Sequence, residues 1–513
     1  MRDMNRFTAR AALLAAAGLS SIALASPVLA QTAGSPSLAD QARGLIETVA
    51  DRGVRACEVS TLDRIAAVTD AAGFAQLDAR QRETLLHVRM NCALRAGDRP
   101  ASTVAARRLT AAEFRPETRG EAAFMVALVD GAQHDARSFA DNMRIVLETT
   151  PAKAVALPPR VFTWALADLA GDPAAAFVTA LRRAPWATED AHQLVDNDWA
   201  LREAKVAADA GDMTLASAAL SRATDPYVMM TVYQDRRFER LWPEMEAAGR
   251  FDWRAREAAR LVGVDERIAR EPRRLELVVE RIQILRTLQR YDEARAVGAD
   301  YVERMKRRKA FDDQDEQKAW VLYAYASALG DLGQTAPAET ALADGARGPD
   351  KISQNVNRAA MLLTLNRPAE ALAALDRIPA DYGSPYGRMV TASNRLCALA
   401  LLDRRPEAEA QLARLLPDWR DAPGAAVEGL ACLQRDDEAA ALLVRWLEDP
   451  ALRDGALAGF RTGRPSPGAQ AVAAKAPAYL RRQSELKQRP EVQAALARVG
   501  RPLAYDLGGD YGG

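Results

Sequence analysis

Hydrophobic and small residues recur at helical spacing along most of this chain. Stretches such as DEARAVGADYV, AEALAALDRI and DEAAALLVRWL place Ala, Leu and Val at intervals of three and four. That spacing aligns side chains on one face of an α-helix, whereas a half-buried strand would alternate with a period of two. The pattern predicts an all-α fold with no significant β-sheet.

Short polar breaks separate the predicted helices at nearly regular intervals. Taking one marker residue from each break gives steps of 34, 40, 40, 38, 40, 44, 33, 37 and 32 residues, a mean of about 38. The markers are Gly97, Gly131, Gly171, Gly211, Gly249, Gln289, Gly333, Asn366, Asp403 and Arg435. This quasi-period predicts about 10–11 helix-turn-helix repeats. Where the break contains glycine, that residue can end one helix in the left-handed conformation, and Asp, Pro or Asn then begins the next helix.

One repeat carries the strongest motif. In WVLYAYASALGDLGQTAPAETALADGARGP the spacing of large and small residues resembles the tetratricopeptide repeat family. The matching positions are Trp320, Tyr323, Ala324, Ser327, Ala336, Ala343 and Pro349. The resemblance covers about residues 290–450 in motif and about 40–480 in architecture. It implies a right-handed α-solenoid with a concave groove for a peptide or protein partner, and it carries over no catalytic residues.

The first 30 residues are predicted to be a cleaved signal peptide. Arg2, Arg6 and Arg10 precede or flank an apolar run at 11–25, and a small-x-small site predicts cleavage after Ala30. A membrane anchor is the alternative, but the run is shorter than a spanning helix requires. Export of this kind predicts a periplasmic protein, or a secreted one.

Composition shifts predict the remaining organisation. We expect a polar spacer, N-terminal repeats, a charged connector, C-terminal tetratricopeptide-like repeats, capping helices and a flexible Gly-rich tail. Their predicted limits are 31–37, 38–303, 304–318, 319–461, 462–499 and 500–513. The connector contains RMKRRK, which could attract an acidic partner, but DDQDE follows it and can neutralise it.

The charge balance argues against several partner classes. The whole chain has 69 basic and 69 acidic residues. Removing residues 1–30 takes away three Arg and one Asp, which leaves 66 basic and 68 acidic residues and a net charge of −2. A chain so nearly neutral has no global electrostatic reason to bind nucleic acid or anionic lipid.

Four cysteines are spaced as two equal pairs. Three pairings of Cys57, Cys92, Cys397 and Cys432 are formally available. However, 92 − 57 and 432 − 397 are both 35, which is about one repeat. Equivalent positions on adjacent helices can approach within disulfide distance. We therefore expect Cys57–Cys92 and Cys397–Cys432 disulfides, with four buried thiols as the alternative. No Cys-x-x-Cys motif is present, which argues against a redox-active pair.

The stretch 227–256 is rich in aromatic, Met and Arg residues. Such residues are enriched at binding surfaces, and Tyr233, Arg237 and Trp242 are the candidates for a partner groove. The same residues would also serve as packing between repeats, since the chain has few aromatics to bury. The three histidines, His87, His134 and His192, are far apart in sequence, so we predict no metal or other cofactor.

These observations predict a non-enzymatic periplasmic scaffold. Its concave groove would hold a protein or peptide partner, in cell-envelope assembly or polymer export. The alternative is a helical solenoid that binds glycan or peptidoglycan and acts with a cell-wall enzyme supplied in trans. We expect no nucleic acid partner and no membrane span in the mature chain.

Overall fold

The computed structural model describes residues 36–52, 57–169, 171–186, 189–307, 309–347, 351–379, 383–473 and 475–508. The predicted signal peptide, residues 31–35 of the spacer and residues 509–513 of the tail lie outside these ranges. The chain divides into two compact units, and the boundary falls between Ser221 and Arg222.

Unit 1 is built from helices. They are α1 Leu38–Arg52, α2 Val59–Thr69, α3 Ala79–Arg95, α4 Arg99–Leu109, α5 Pro116–Ala132, α6 Ala136–Thr149, α7 Pro151–Val155, α8 Arg160–Asp168, α9 Gly171–Arg183, α10 Glu189–Asp196, α11 Asp198–Asp209 and α12 Met213–Leu220, with a 3-10 turn at Phe74–Gln76.

Unit 2 continues with hairpins of helices and ends in a mixed segment. The hairpin region comprises α13 Pro226–Gln234, a 3-10 helix Arg236–Leu241, α14 Trp242–Ala247, α15 Trp253–Arg270, α16 Leu275–Thr287, α17 Tyr291–Arg304, α18 Gln314–Asp331, α19 Thr335–Gly345, α20 Lys351–Thr364, α21 Pro368–Leu375, α22 Pro385–Leu401, α23 Arg405–Leu415, a 3-10 helix Leu416–Asp421, α24 Pro423–Cys432, α25 Asp436–Glu448 and α26 Arg453–Ala458. The final segment comprises β1 Arg461–Arg464, α27 Pro467–Ala473, α28 Ala478–Lys487, α29 Pro490–Val499 and β2 Leu503–Gly508.

The helix content confirms the all-α prediction, and the turns between helices explain its periodicity. Eight of the ten marker residues have a positive φ; for Gly131 and Arg435 the left-handed residue is instead His134 or Gln434. At nine of these turns the left-handed residue donates its backbone N–H to the carbonyl three residues earlier. The residue after it donates its backbone N–H to the carbonyl five residues earlier. This paired bonding is the Schellman motif, which satisfies the last carbonyls of a helix. The right-handed solenoid and the family resemblance remain predictions.

Gln434→Gly should stabilise unit 2. Gln434 is exposed and has φ 61°, a conformation that is unfavourable for a residue with a Cβ. Removing the Cβ relieves about 1–2 kcal/mol of backbone strain in the folded state. Glycine also gives the unfolded chain more conformational freedom, which lowers the free energy of unfolding by about 0.5–1 kcal/mol. We expect a net gain of about 0.5–1 kcal/mol in the free energy of unfolding, measured by urea titration.

Two matched variants check that prediction. Gln434→Ala keeps the Cβ and should bring no gain. Gly211→Ala, where φ is 80° and no atom lies within 4 Å of the added Cβ, should lose about 1 kcal/mol through backbone strain alone. A gain from Gln434→Ala equal to that from Gln434→Gly would contradict the explanation.

After eight of the left-handed turns a carboxylate lies at the start of the next helix, in one of two arrangements. In four turns an aspartate accepts the backbone N–H three residues on; these are Asp98, Asp135, Asp212 and Asp252. In four turns of unit 2 an arginine pairs with a glutamate three residues on; these are Arg290–Glu293, Arg367–Glu370, Arg404–Glu407 and Arg435–Glu438. Both arrangements place a carboxylate in the first turn, where the helix dipole favours it.

In unit 2 the first helices of successive hairpins pack side by side. The order of contact is α16, α18, α20, α22 and α24, each followed by its second helix. Beyond them α26 contacts α13, the first helix of the unit, so the row of hairpins closes on itself. Residues 461–508, here called the return segment, then cross the unit and contact α13, α15, α16, α18, α24 and α25.

The return segment departs from the predicted flexible tail and adds a small sheet. Residues 503–508 form β2, although we expected the tail to be flexible from residue 500. β2 pairs in parallel with β1, with Arg461 opposite Leu503, so unit 2 contains a small sheet that helical periodicity did not indicate. The physical reason is burial: Leu503, Tyr505 and Leu507 alternate with exposed residues and pack into the unit.

The boundary between the units also lies elsewhere than predicted. We expected two sub-arrays joined by residues 304–318, but α17 and α18 on either side of that connector pack against each other. The connector is held by the start of α16. The Asp313 carboxylate accepts hydrogen bonds from the backbone N–H groups of Leu275 and Glu276 at 2.8 and 3.0 Å. Arg273 also pairs with Asp312 at 2.7 Å.

Unit 1 has an aromatic core between α6 and α11. The rings of Phe139, Phe162, Phe177 and Trp199 are fully buried, and edge-on contacts join their neighbours at centroid distances near 6 Å. Such pairs add about 0.5–1.5 kcal/mol each beyond their burial. In the described part of the chain, no helix is both long enough and apolar enough to cross a membrane.

Candidate functional site

Both predicted disulfides are present. Cys57 bonds Cys92 and Cys397 bonds Cys432, each across 35 residues of sequence. The first pair lies near α2 and in α3, and the second joins α22 to α24, the first helices of consecutive hairpins. Disulfides of this kind persist in an oxidising environment, which supports an exported protein.

Tyr233 and Trp242, two of the predicted partner-binding residues, hold an arginine from the return segment. The Arg501 guanidinium lies 3.5 Å from the Tyr233 ring centroid and 3.6 Å from the Trp242 ring centroid. Its Nε donates to the Tyr233 carbonyl at 2.8 Å, and its backbone N–H donates to the Gln234 carbonyl at 3.0 Å. We call Tyr233, Trp242 and Arg501 the arginine clamp. It fastens the return segment to the start of unit 2.

Arg237, the third predicted residue, neutralises a buried acid beside the clamp. Its guanidinium bonds the Asp235 carboxylate at 2.5 and 2.9 Å, and Asp454 lies 3.8 Å away. Asp235 is fully buried. A buried carboxylate needs such a partner, since removing the partner leaves an uncompensated charge.

The three residues therefore serve intramolecular contacts. We weighed a partner groove against packing between repeats, and the structure places Tyr233, Arg237 and Trp242 in packing. The sequence could not show this, because the residue that occupies the space between the two rings is 259 positions beyond Trp242 in the chain (501 − 242).

The return segment also covers part of the surface of the hairpins in unit 2. Helix α18 shows the effect, since its buried residues include Val321, Ala324, Ala326 and Ala328 and so lie all round the helix. A helix apolar on every side is packed on every side. Its return-segment neighbour is α27, while α28 and α29 pack on α24 and α25.

Charge complements this packing. The return segment has nine basic and three acidic residues, a net charge of +6, whereas residues 401–460 have seven basic and twelve acidic, a net charge of −5. Three ion pairs cross from the segment to α25: Arg482–Asp436, Arg489–Asp437 and Arg498–Glu448.

The size of the buried contact makes the return segment an integral part of unit 2. Tyr479, Leu486, Val492 and Leu496 are each at least nine-tenths buried. Burying such side chains contributes about 1.5–3 kcal/mol each, or about 6–12 kcal/mol together. A partner that displaced the segment would lose this stabilisation, so the covered face is not an open groove.

A second polar cluster joins α15 and α16. Arg260 donates to Glu257 at 3.1 Å and to Glu280 at 3.3 Å, and Arg267 donates to Glu280 at 3.1 Å. The Glu257 side chain is 0% exposed. Burial raises its pKa to about 7 from the usual 4.5, although Arg260 opposes the shift.

Glu257 should make unit 2 less stable as the pH rises. Its folded-state pKa is higher than its unfolded value, so the folded state binds the proton more tightly between those two values. The stabilisation that the protonated Glu257 contributes is therefore fully present below about pH 4.5, and it is lost as the pH rises through about 7. We expect a loss of up to about 3 kcal/mol in the free energy of unfolding, measured by urea titration across that range.

Glu257→Gln should remove the share of this pH dependence that Glu257 contributes and leave the share of Glu428, whose pKa is also raised to about 7. Glu266→Gln, an exposed substitution on the same helix, is the matched control and should leave the dependence unchanged. An unchanged slope in Glu257→Gln would mean that another group carries the titration.

Glu428 is the second carboxyl with a raised pKa. It lies on α24, where Ser393 of α22 and Gln483 of the return segment hydrogen-bond it. Burial raises its pKa to about 7, against the lowering effect of both hydrogen bonds. Burial also raises the pKa of the neighbouring Tyr479 hydroxyl. The carboxyl therefore belongs to the contact between the return segment and the hairpins.

Unit 1 contains an open cleft of about 690 Å³ between α6 and α9. Its floor is formed by Leu147, Ala175, Ala176, Thr179 and Ala180. Four charged residues stand around it: Arg144, Glu148, Asp172 and Arg183. The cleft is within the usual volume of a ligand site, and no aromatic side chain lines it.

The histidines are not brought together among the described side chains. His87 lies 3.7 Å from Glu121, and burial lowers its pKa. His134 takes a left-handed turn and packs edge-on against Trp164 at 5.8 Å. The side chain of His192 falls outside the described set. Within that set, no three His, Cys, Asp or Glu residues are grouped to hold a metal ion.

Sequence reasoning missed Arg501, Tyr505 and the floor of the cleft. A signal for the first two was present, since LAYDLG alternates apolar and polar residues with the period of a strand. The cleft left no comparable signal, because alanines are common throughout the chain. No protein-family model matches the chain, and no curated protein matches it significantly.

Proposed function

We propose that this protein is a non-enzymatic, exported scaffold of the tetratricopeptide-like type that binds a protein partner. The observation that carries the proposal is the recurrence of one helix-turn-helix hairpin, with the same Schellman bonding at nine turns. Repeated hairpins present extended surfaces whose residues vary independently of the fold, and such surfaces are used for protein recognition.

The disulfides support the location. They join neighbouring elements in unit 1 and in unit 2, and structural disulfides are typical of proteins outside the cytoplasm. A periplasmic scaffold in envelope assembly or polymer export is the role we propose. The partner binds outside the face that the return segment covers.

The second candidate is binding of glycan or peptidoglycan beside a cell-wall enzyme supplied in trans. The observation in its favour is Tyr386, whose side chain is 62% exposed in the first turn of α22. A rigidly placed aromatic ring can stack on the apolar face of a sugar. Neighbouring aromatic rings would be needed for a glycan strand.

One experiment separates the two functions. The tagged full chain is used to capture partners from periplasmic extract, before and after digestion of glycan. A protein partner that persists after digestion supports the scaffold. A partner lost only on digestion would contradict it and favour the glycan-binding function.

A further inference from the structure

We propose that the cleft between α6 and α9 in unit 1 is the docking site for an amphipathic helix of the partner protein. This inference rests on the proposed scaffold function and names the surface and the chemistry of the partner. This cleft lies between the second helices of two neighbouring hairpins, and it is open.

The floor of the cleft suits a helix with large apolar side chains. Ala176 and Ala180 are one turn apart on α9 and partly exposed, and Leu147 stands opposite them on α6. Small residues on a helix surface allow another helix to approach closely, with its larger side chains filling the space between. A floor without aromatic rings gives a sugar nothing to stack on.

The charges around the cleft give the partner helix a polarity. Arg144 and Glu148 lie 3.8 Å apart on α6 and balance each other. Asp172 and Arg183 form no ion pair with a described residue. They are eleven positions apart on α9, which corresponds to about 16 Å along the helix. A helix of three turns with a basic residue near one end and an acidic residue near the other would pair with both.

This pattern selects against other occupants. A polyanion requires a cluster of cations, but the cleft has two arginines and two acids and no net charge. A uniformly basic or acidic helix would meet a like charge at one end, and like charges in contact are unfavourable.

The test uses the full chain and three fluorescein-labelled 18-residue Leu/Ala helices. Each helix carries two charged residues, placed eleven residues apart on the edge of its apolar face. The first helix carries one Lys and one Glu, the second carries two Lys, and the third carries two Glu. Anisotropy titration at low salt should show micromolar binding of the Lys/Glu helix and roughly threefold to tenfold weaker binding of the other two. Because the helix can dock in either direction, the order of Lys and Glu in it is immaterial.

Charge reversal should change this preference. Arg183→Asp makes both ends acidic and should favour the two-Lys helix, while Asp172→Arg should favour the two-Glu helix, each by roughly threefold to tenfold. Both native charges also complement the dipole of α9. Circular dichroism of each variant must therefore show an unchanged fold. Preferences that do not follow the reversals would overturn the proposal.

Ala180→Arg provides the steric test, since its long side chain fills the cleft. It should weaken binding of the Lys/Glu helix at least about tenfold, whereas Ala152→Arg, exposed on α7, should not. No binding to the native chain up to about 1 mM, or equal binding to Ala180→Arg, would refute the site. If partner capture from extract persists in Ala180→Arg, the scaffold function stands and only its location is wrong.

Discussion

Arg501→Ala should destabilise unit 2 by about 3–4 kcal/mol. The substitution removes two close cation–π contacts, each worth up to about 2 kcal/mol when shielded from water, and a charged hydrogen bond to the Tyr233 carbonyl. It leaves the facing rings of Tyr233 and Trp242 with a cavity between them. Because the clamp fastens the return segment to α13, β2 should lose its protection first.

Hydrogen exchange of the full chain measures this effect locally. Peptides covering β2 and α13 should exchange faster in Arg501→Ala, while peptides from unit 1 should be unchanged. Arg501→Lys keeps the charge but not the planar stacking, so it should fall between the native chain and Arg501→Ala.

Arg498→Ala is the matched surface control. Its ion pair with Glu448 is more than half exposed on the Arg498 side, so it should cost under about 1 kcal/mol. Equal effects of Arg498→Ala and Arg501→Ala would show that the clamp contributes no more than a surface ion pair.

Replacing both Cys397 and Cys432 by serine should cost unit 2 about 4 kcal/mol. The disulfide closes a loop of 35 residues, and the chain-entropy relation gives this value for such a loop. The bond joins the first helices of consecutive hairpins within one hydrophobic core cluster, so its loss also loosens the contact between α22 and α24. Urea unfolding, followed by hydrogen exchange to identify the unit, measures the loss.

The second disulfide provides the control for that measurement. Replacing Cys57 and Cys92 by serine should destabilise unit 1 and leave unit 2 unchanged, because the two bonds lie in different units. Non-reducing peptide mapping of the native chain should recover only 57–92 and 397–432 links. A 57–397 or 92–432 link would contradict both the structure and the repeat spacing.

Local signals in the sequence were sufficient for the turns and the cysteine pairs. Glycine at position 97 or 211 takes the left-handed conformation at no steric cost, so the break is visible in a single residue. Breaks without glycine were also located, since Gln289, Asn366 and Asp403 are themselves left-handed, whereas at Arg435 the left-handed residue is the neighbouring Gln434. The equal spacing of the cysteines identified adjacent hairpins.

Local signals were insufficient for the site. The role of Trp242 depends on Arg501, and α18 packs against α27, each far away in the chain. The sequence pattern around a hydrophobic residue is the same whether that residue packs on its own hairpin, on the return segment or on another protein. The partner groove and the flexible tail were both predicted from composition. The same composition is compatible with packing on the same hairpin, on the return segment or on another protein.

By itself, the sequence determined helices, their turns and the two disulfides, because each arises from residues within about one repeat of each other. Only the tertiary structure decided that the hairpins of unit 2 close, that residues 461–508 return across them, and that the open cleft lies in unit 1. The first two features come from contacts between segments hundreds of residues apart, whereas the cleft comes from the packing of α6 and α9 in neighbouring hairpins. The free energy that stabilises them is the sum of many small contributions from buried apolar side chains, so it cannot be inferred from any single residue.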